Sequence, residues 1–169
     1  VGRGVMAAAA AGITRVSLEL GGKSANLVFA DADLDACVAS SLWSVYDNAG
    51  QDCCARSRMY VEAPVYDEFV SRFAEATAAI ALGPTMDEDT QLGPLISASH
   101  RNGVEQYLQI GVDEGATLVC GGAGCGKQHP DAHRARGFAT QRDVAGIPAE
   151  GRDVLVHPLE GGDLVHVGV

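Results

Sequence analysis

Residues Asn26 to Glu62 read NLVFADADLDACVASSLWSVYDNAGQDCCARSRMYVE, and their pattern divides this stretch into a strand, a helix and a second strand. Asn26 to Phe29 is a short continuous apolar run, which is typical of a buried strand. Apolar residues recur at helical spacing from Leu34 to Tyr46, and the alternation from Arg58 to Glu62 predicts the second strand. This order of elements favours an α/β fold.

Three acidic residues, Asp31, Asp33 and Asp35, lie at alternate positions directly before the predicted helix. Such spacing invites comparison with an EF-hand calcium loop, which needs a glycine at its sixth position and a glutamate at its twelfth. Those positions hold Ala36 and Leu42. We therefore interpret the three acids as residues that cap the free amides of the first helical turn and interact with the positive end of the helix dipole.

The alternation of helices and strands continues on both sides of this stretch. Helical periodicity predicts one helix in the N-terminal alanine-rich segment, a second with Pro64 in its first turn, and a third that Ser97 or Ser99 caps. Alternating patterns predict two further strands, Thr14 to Leu20 and Ala116 to Cys120. We expect a mostly parallel sheet covered by helices, followed by an irregular tail after about residue 123, where the periodicity becomes weak.

The composition excludes several classes of partner. The 169 residues are about one domain in size, 47% of them are hydrophobic, and the formal net charge is −10. Nucleic acids and anionic membranes attract basic surfaces, so this acidic chain is expected to bind neither. The apolar N-terminal segment is far shorter than the roughly 20 residues that span a membrane. The odd number of cysteines, five, does not suit a secreted disulfide framework and favours the reducing cytoplasm.

Two segments carry groups that acyl transfer through a cysteine requires, namely a thiolate and a base that activates water. Cys53 follows the predicted end of a helix on a turn that contains Gly50, where exposure and local amides would favour the thiolate. Glu19 lies near the end of a predicted strand, and catalytic bases of open α/β sheets usually lie at that carboxyl edge. From spacing alone, a buried packing thiol for Cys53 and a solvated carboxylate for Glu19 remain alternatives.

Four potential zinc ligands, Cys120, Cys125, His129 and His133, lie close together in the sequence. A C₂H₂ zinc finger places about twelve residues between its cysteine and histidine pairs, whereas only three separate Cys125 from His129. Cys120 also ends an apolar strand, where a buried, unreactive thiol is usual. We therefore assign no metal site. The run from Gly121 to Gly126 does not fit the G-x-G-x-x-G pattern of a dinucleotide site either.

Several motifs resemble those of the aldehyde dehydrogenase superfamily. Leu18 to Lys23 reads L-E-L-G-G-K, Ala30 to Asp35 reads A-D-A-D-L-D, and Gly50 to Cys53 reads G-Q-x-C. The segment from Glu114 to Gly122 continues the same order, so the resemblance covers roughly residues 1 to 122. It implies part of the three-layer architecture of that superfamily.

The resemblance also implies roles for individual residues. Cys53 matches the cysteine that attacks the aldehyde, and Glu19 matches the base that activates the deacylating water. The backbone at Leu20 and Gly21 would lie beside the nicotinamide ring of NAD or NADP. The implied reaction oxidises an aldehyde to a carboxylic acid through a thiohemiacetal and a thioester, with hydride transfer to the cofactor.

Departures from the family pattern suggest how the chain is organised. We expect residues 1–21 to be a remnant of the dinucleotide-binding domain, residues 22–122 to be part of the catalytic domain, and residues 123–169 to be a divergent tail, which divergence or a shifted reading frame would explain. The family's E-[IV]-F-G-P motif is not found in the tail, and its role cannot be assigned to Glu160. A fragment of this kind is expected to be inactive as a dehydrogenase by itself.

Two other functions remain open from the sequence. One is a non-oxidative thiol activity, such as weak ester hydrolysis through Cys53. The other is a catalytically silent remnant that acts by interaction. An apolar edge left exposed by the first helix and the strand that ends at Glu19 would favour association, either with another copy of the chain or with a longer relative.

Overall fold

The computed structural model describes residues 1–122, 137–141 and 164–168. The helices in this part are α1 (Gly2–Ala10), α2 (Leu34–Tyr46), α3 (Ala63–Ala79) and α4 (Ala98–Asp113). The strands are β1 (Ala25–Val28), β2 (Arg58–Glu62), β3 (Thr117–Gly121), β4 (Gly137–Gln141) and β5 (Leu164–Gly168). The α/β class predicted from the sequence is confirmed.

The five strands form one sheet in the order β1-β2-β5-β4-β3. β1 and β2 are parallel, with Ala25 opposite Arg58 and Val28 opposite Val61. The other three pairings are antiparallel, so the sheet is mixed rather than mostly parallel. The expectation of parallel strands came from the alternation of helices and strands, and that alternation ends at β3. That alternation therefore carries no information about the direction of β4 and β5, which follow it.

The expectation of an irregular tail after about residue 123 is wrong for two five-residue segments. β5 pairs with β2, placing Val167 opposite Met59 and Val165 opposite Val61. β4 pairs with β5 and with β3. The backbone hydrogen bonds of β4 and β5 come from strands that are distant in the sequence. Local periodicity does not reveal such partners, so these strands were not predicted.

The predicted strand at Thr14 to Leu20 is also wrong, because this segment pairs with no strand among the described residues. It instead returns along α1. A methyl group added at Gly2 would lie 3.2 Å from the side chain of Leu20 and 3.5 Å from that of Leu18. Alternating residues form a strand only where they pair with a neighbouring edge, and this segment pairs with neither edge strand of the described sheet, β1 or β3.

The hydrophobic core lies where α2 and α3 cover β1 and β2. Phe69 and Phe73 are fully buried, and their stacked rings lie 5.7 Å apart. Tyr46, the last residue of α2, stacks on Phe73 at 6.2 Å. This contact fixes the C-terminal end of α2, from which the candidate site begins. The remaining buried members of the cluster are Val28, Val38, Leu42, Val45, Met59, Val61, Tyr66, Ile80 and Leu92.

Helix caps confirm two interpretations made from the sequence. The Asp33 carboxylate accepts hydrogen bonds from the amides of Asp35 and Ala36, both at 3.1 Å, so it caps α2 as proposed in preference to a calcium role. Ser97, rather than Ser99, caps α4 by accepting a hydrogen bond from the His100 amide at 3.1 Å. Over the described residues, no helix has both the length and the apolar character needed to cross a bilayer.

Candidate active site

The candidate site begins where α2 gives way to a short 3₁₀ turn, Asp47–Gly50. Asn48, Ala49 and Gly50 all adopt the left-handed conformation, with φ values of 52°, 58° and 76°. Asparagine and glycine tolerate this conformation, whereas alanine pays roughly 1–2 kcal/mol for it. Three left-handed residues in succession reverse the chain and present the next residues to solvent. The turn predicted from Asn48-Ala49-Gly50 is therefore confirmed.

Reciprocal hydrogen bonds hold this turn closed. The Asn48 side-chain amide donates to the carbonyl oxygen of Gln51 at 3.0 Å, and the Gln51 side-chain amide donates to the carbonyl oxygen of Asn48 at 3.1 Å. On the far side, Ala55 is buried, and the Arg56 amide donates to the carbonyl oxygen of Ser44 at 3.1 Å. Residues 52–54 therefore form an exposed tip between two fixed points.

The parallel pairing of β1 with β2 brings the second motif to this tip. The amino ends of parallel strands lie at the same edge, so the residues before Ala25 and the residues before Arg58 run side by side. The Arg58 guanidinium donates through Nε to the carbonyl oxygen of Lys23 at 2.8 Å. A Cβ added at Gly22 would lie 2.7 Å from the carbonyl oxygen of Cys53. The L-E-L-G-G-K and G-Q-x-C segments thus touch through their backbones.

Glu19 itself is exposed and forms no hydrogen bond or ion pair within the described residues. It precedes Gly22 by three residues, a separation that the chain spans in about 10 Å at most. The expected position of Glu19 at the carboxyl end of a strand is wrong, because Thr14 to Leu20 is not a strand. The site lies instead at the amino ends of β1 and β2.

Cys53 is exposed, which excludes the alternative of a buried packing thiol. Its Sγ lies 3.7 Å from the Sγ of Cys54. The pKa of the Cys53 thiol is raised, first by its contact with Cys54 and, to a lesser degree, by the nearby Asp52 carboxylate. The expectation that exposure and local amides would favour the thiolate is therefore not met, because the two adjacent side chains stabilise the protonated form.

A cavity of about 320 Å³ lies behind the tip. Its wall is formed by backbone and side chains of the tip, by the end of α2 and by one face of α4. Val104 and Leu108 of α4 contribute to this wall, and the helical pattern that predicts α4 does not say what this face of the helix meets. The lining residues are Gly22, Lys23, Val45, Tyr46, Ala49, Gly50, Gln51, Asp52, Ala55, Ser57, Leu95, His100, Val104 and Leu108.

The described residues offer a nicotinamide ring only a partial site. Leu20 and Gly21 are exposed, and no atom outside the adjacent residues lies within 4 Å of a Cβ added at Gly21, so a flat ring has room to approach there. The loop between β1 and α2 is not a phosphate cradle, because Asp31 and Asp33 carry carboxylates at the helix start. Of the four cysteines and histidines considered for zinc, only Cys120 lies within the described residues.

Sequence reasoning missed Gly22, Arg58 and Asp52 as residues that shape the site. Gly22 allows two backbones to meet, Arg58 fixes the position of the Lys23 carbonyl group, and Asp52 influences the thiol. The glycine pair in L-E-L-G-G-K could have identified Gly22, since glycines often mark places where two backbones approach closely. No sequence pattern distinguishes Arg58 from an ordinary surface residue.

Comparisons with known proteins agree with these motifs. A profile described as "Aldehyde dehydrogenase family" matches residues 1–137. The chain is 42% identical over 160 residues to a 2-hydroxymuconic semialdehyde dehydrogenase of Pseudomonas sp. (strain CF600), covering 95% of this chain and 32% of that protein. It is 42% identical over 137 residues to a betaine aldehyde dehydrogenase of Bacillus subtilis (strain 168), covering 81% of this chain and 27% of that protein.

Among solved structures, the chain matches a betaine aldehyde dehydrogenase double mutant from Staphylococcus aureus in complex with NAD⁺, with a TM-score of 0.78 and 37% sequence identity. The match covers 84% of this chain and 29% of that one. The chain thus spans about a third or less of the length of these relatives. The profile match, the sequence identity and the shared fold show that the chain belongs to the aldehyde dehydrogenase family.

Proposed function

We propose that this chain carries the nucleophile, Cys53, and the general base, Glu19, of an NAD(P)-dependent aldehyde dehydrogenase. The observation that supports this most is the backbone contact between Gly22 and Cys53, since it couples the two motifs at one edge of the sheet. Solved relatives bound to NAD⁺ support the same chemistry. The substrate is an aldehyde of unassigned structure, and the product is the corresponding carboxylic acid.

In this proposal, the Cys53 thiol loses its proton and its sulfur attacks the aldehyde carbon, forming a thiohemiacetal. Loss of a hydride from that carbon, together with release of the hydroxyl proton to solvent, converts the thiohemiacetal into a thioester. NAD(P)⁺, when bound, supplies the acceptor for this hydride. The Glu19 carboxylate then takes a proton from water, the resulting hydroxide attacks the thioester carbon, and the Cys53 sulfur departs. The exposure of both side chains leaves them accessible to substrate and water.

The exposed backbone at Leu20 and Gly21 would lie against the nicotinamide ring. The acidic loop between β1 and α2 does not attract phosphate groups, so this loop is not expected to hold the pyrophosphate of the cofactor. We therefore propose that the 169-residue chain does not oxidise aldehydes at a substantial rate by itself.

A second candidate function is a slow thiol esterase that needs no nicotinamide. The exposure of Cys53 favours it, because an activated ester can reach the thiol directly. For partners, we propose association with another copy or with a longer relative, supported by α1, which has no buried residue and exposes Val5 and Met6. A cytoplasmic location stays a prediction from cysteine usage.

The assigned roles can be tested without a cofactor by acylating the chain with p-nitrophenyl acetate. Mass spectrometry is expected to place the acetyl group on Cys53, and Cys53→Ala should abolish that adduct while Cys54→Ala retains it. Glu19→Gln should leave acylation intact and slow deacylation by about 10²-fold or more, so that the acetylated chain accumulates. Acetylation of Cys54 instead, or unchanged deacylation in Glu19→Gln, would contradict the proposed roles.

A further inference from the structure

The exposed tip has a second chemical feature besides the proposed nucleophile. The side chains of Asp52, Cys53 and Cys54 point their ligand atoms toward one another, and all three atoms lie within 4.8 Å. Within the described residues, this is the only group of three or more carboxylate, thiol or imidazole side chains so arranged. We propose that these three residues form a binding site for a thiophilic divalent cation of the class that includes Zn²⁺ and Cd²⁺.

The spacing of the two sulfur atoms suits tetrahedral coordination. Zinc–sulfur bonds are about 2.3 Å long, so two thiolates in a tetrahedral site lie about 3.8 Å apart. The Sγ atoms of Cys53 and Cys54 lie 3.7 Å apart before any cation enters. Two of the four ligand positions therefore match without rearrangement of the backbone.

Asp52 is placed to supply the third ligand. One carboxylate oxygen accepts a hydrogen bond from the Cys54 amide at 3.0 Å, which holds the carboxyl group beside the two thiols. Closing to a tetrahedral site needs a shift of roughly 1 Å, which an exposed side chain makes without disturbing the core. The fourth position faces solvent, since all three residues are exposed, and water would fill it.

The ligand set determines which cations would bind. Two thiolates and one carboxylate favour zinc-group ions over Mg²⁺ or Ca²⁺, which prefer sets made entirely of oxygen ligands. Binding releases the two thiol protons to solvent and forms two metal–sulfur bonds, with no change of oxidation state. Because Cys53 then donates its sulfur lone pair to the metal, a bound cation would block this thiol as a nucleophile.

The site can be tested by titrating the fully reduced 169-residue chain with Cd²⁺ in the presence of a phosphine reductant, which excludes disulfides. Cadmium–thiolate bonds give an ultraviolet charge-transfer band, and we expect it to saturate at one ion per chain. Cys53→Ser and Cys54→Ser should each weaken cation binding by about a hundredfold or more, and Asp52→Asn should weaken it by about tenfold. Even substitution of residues that only hydrogen-bond to metal ligands typically lowers metal affinity by about 10–100-fold. Circular dichroism would confirm that these exposed substitutions leave the fold intact.

Matched controls separate this site from the two other thiols among the described residues. Cys37→Ala and Cys120→Ala change half-buried cysteines outside the tip and should leave the band unchanged. Mg²⁺ at the same concentration should give no band and no protection of Cys53 from alkylation. A band that persists in the Cys53→Ser/Cys54→Ser double variant, or no band in the unmodified chain, would overturn the proposal. The spectroscopic readout does not depend on activity, so a failure of the proposed enzymatic roles would not affect it.

Discussion

Asp52 and Cys54 control how readily Cys53 ionises. Both raise the pKa of the Cys53 thiol, with the Cys54 contact the larger cause. Removing either cause lowers that pKa and increases the thiolate fraction at any pH below it. We therefore predict faster alkylation of Cys53 by iodoacetamide near neutral pH in Cys54→Ala, and a smaller increase in Asp52→Asn. Rates followed against pH by mass spectrometry would show the alkylation curve shifted to lower pH.

The matched control for charge is Glu75→Gln, which removes an exposed carboxylate from α3, away from the tip. Its alkylation curve should coincide with that of the unmodified chain. An unchanged curve in Cys54→Ala, or a shift to higher pH in either tip variant, would contradict this account of the thiol.

Gly22 is needed because no side chain fits between its backbone and Cys53. A Cβ there would lie 2.7 Å from the Cys53 carbonyl oxygen, closer than nonbonded atoms approach, and both groups belong to backbone that cannot rotate away. We predict that Gly22→Ala destabilises the fold by about 1–3 kcal/mol and slows acylation of Cys53. Gly21→Ala is the matched control, since no atom lies within 4 Å of the added methyl group. Equal urea midpoints for the two variants would exclude a role for this contact.

The sequence correctly predicted that Cys53 is exposed, but it did not predict how readily the Cys53 thiol ionises. Cys53 lies shortly after the end of a helix, on a turn that contains Gly50. This location is a local property of the chain, so a sequence motif can predict it. The direction of the Asp52 and Cys54 side chains relative to Cys53 depends on backbone angles within the tip, which residue types do not determine. The raised pKa therefore emerged only from the arrangement of atoms.

At the scale of single elements, the turn after α2 depends on backbone conformation more than on contacts. Gly50 has a φ of 76°, which alanine adopts only at a cost of roughly 1–2 kcal/mol. We predict that Gly50→Ala lowers the free energy of unfolding by about that amount. Gly103→Ala, in the interior of α4 with no atom within 4 Å, should instead raise it by about 0.5–1 kcal/mol. Urea denaturation of both variants measures the difference, and the same sign of change in both would contradict this interpretation.

The helices and the strands β1, β2 and β3 were predictable because their signals are local. The range Arg58 to Glu62 matches β2, and the apolar stripe from Leu34 to Tyr46 matches α2. Thr14 to Leu20 shows the limit of such signals: its alternation is clear, yet a strand also needs a paired edge, and this segment pairs with neither edge strand of the described sheet. β5 shows the converse, since its pairing with β2 compensates for a weak local pattern.

At the scale of the whole molecule, one topological fact positions the site. Parallel β1 and β2 place their amino ends together, so two motifs 34 residues apart, measured from Glu19 to Cys53, reach the same edge. The hydrogen bond from the Arg58 side chain to the Lys23 carbonyl oxygen helps to fix the position of the L-E-L-G-G-K segment relative to β2. This edge was not predictable from the sequence, because the predicted strand that ended at Glu19 indicated the opposite, carboxyl edge. Strand direction and partner choice are long-range properties that a single sequence does not display.

The same topology limits what the chain does by itself, which leads to the prediction for the intact molecule. β1, its loop and α2 have the order of a nucleotide-binding unit, but the loop carries Asp31 and Asp33 where a phosphate would need backbone amides and no negative charge. With a panel of aldehydes and either NAD⁺ or NADP⁺, we therefore expect no reduced nicotinamide above the level of a Cys53→Ala control, measured by its absorbance. Acetylation of Cys53 by p-nitrophenyl acetate in the same preparation should persist, because that step needs only the exposed thiol. Nicotinamide reduction that Cys53→Ala abolishes would show instead that the chain binds and uses the cofactor without further residues.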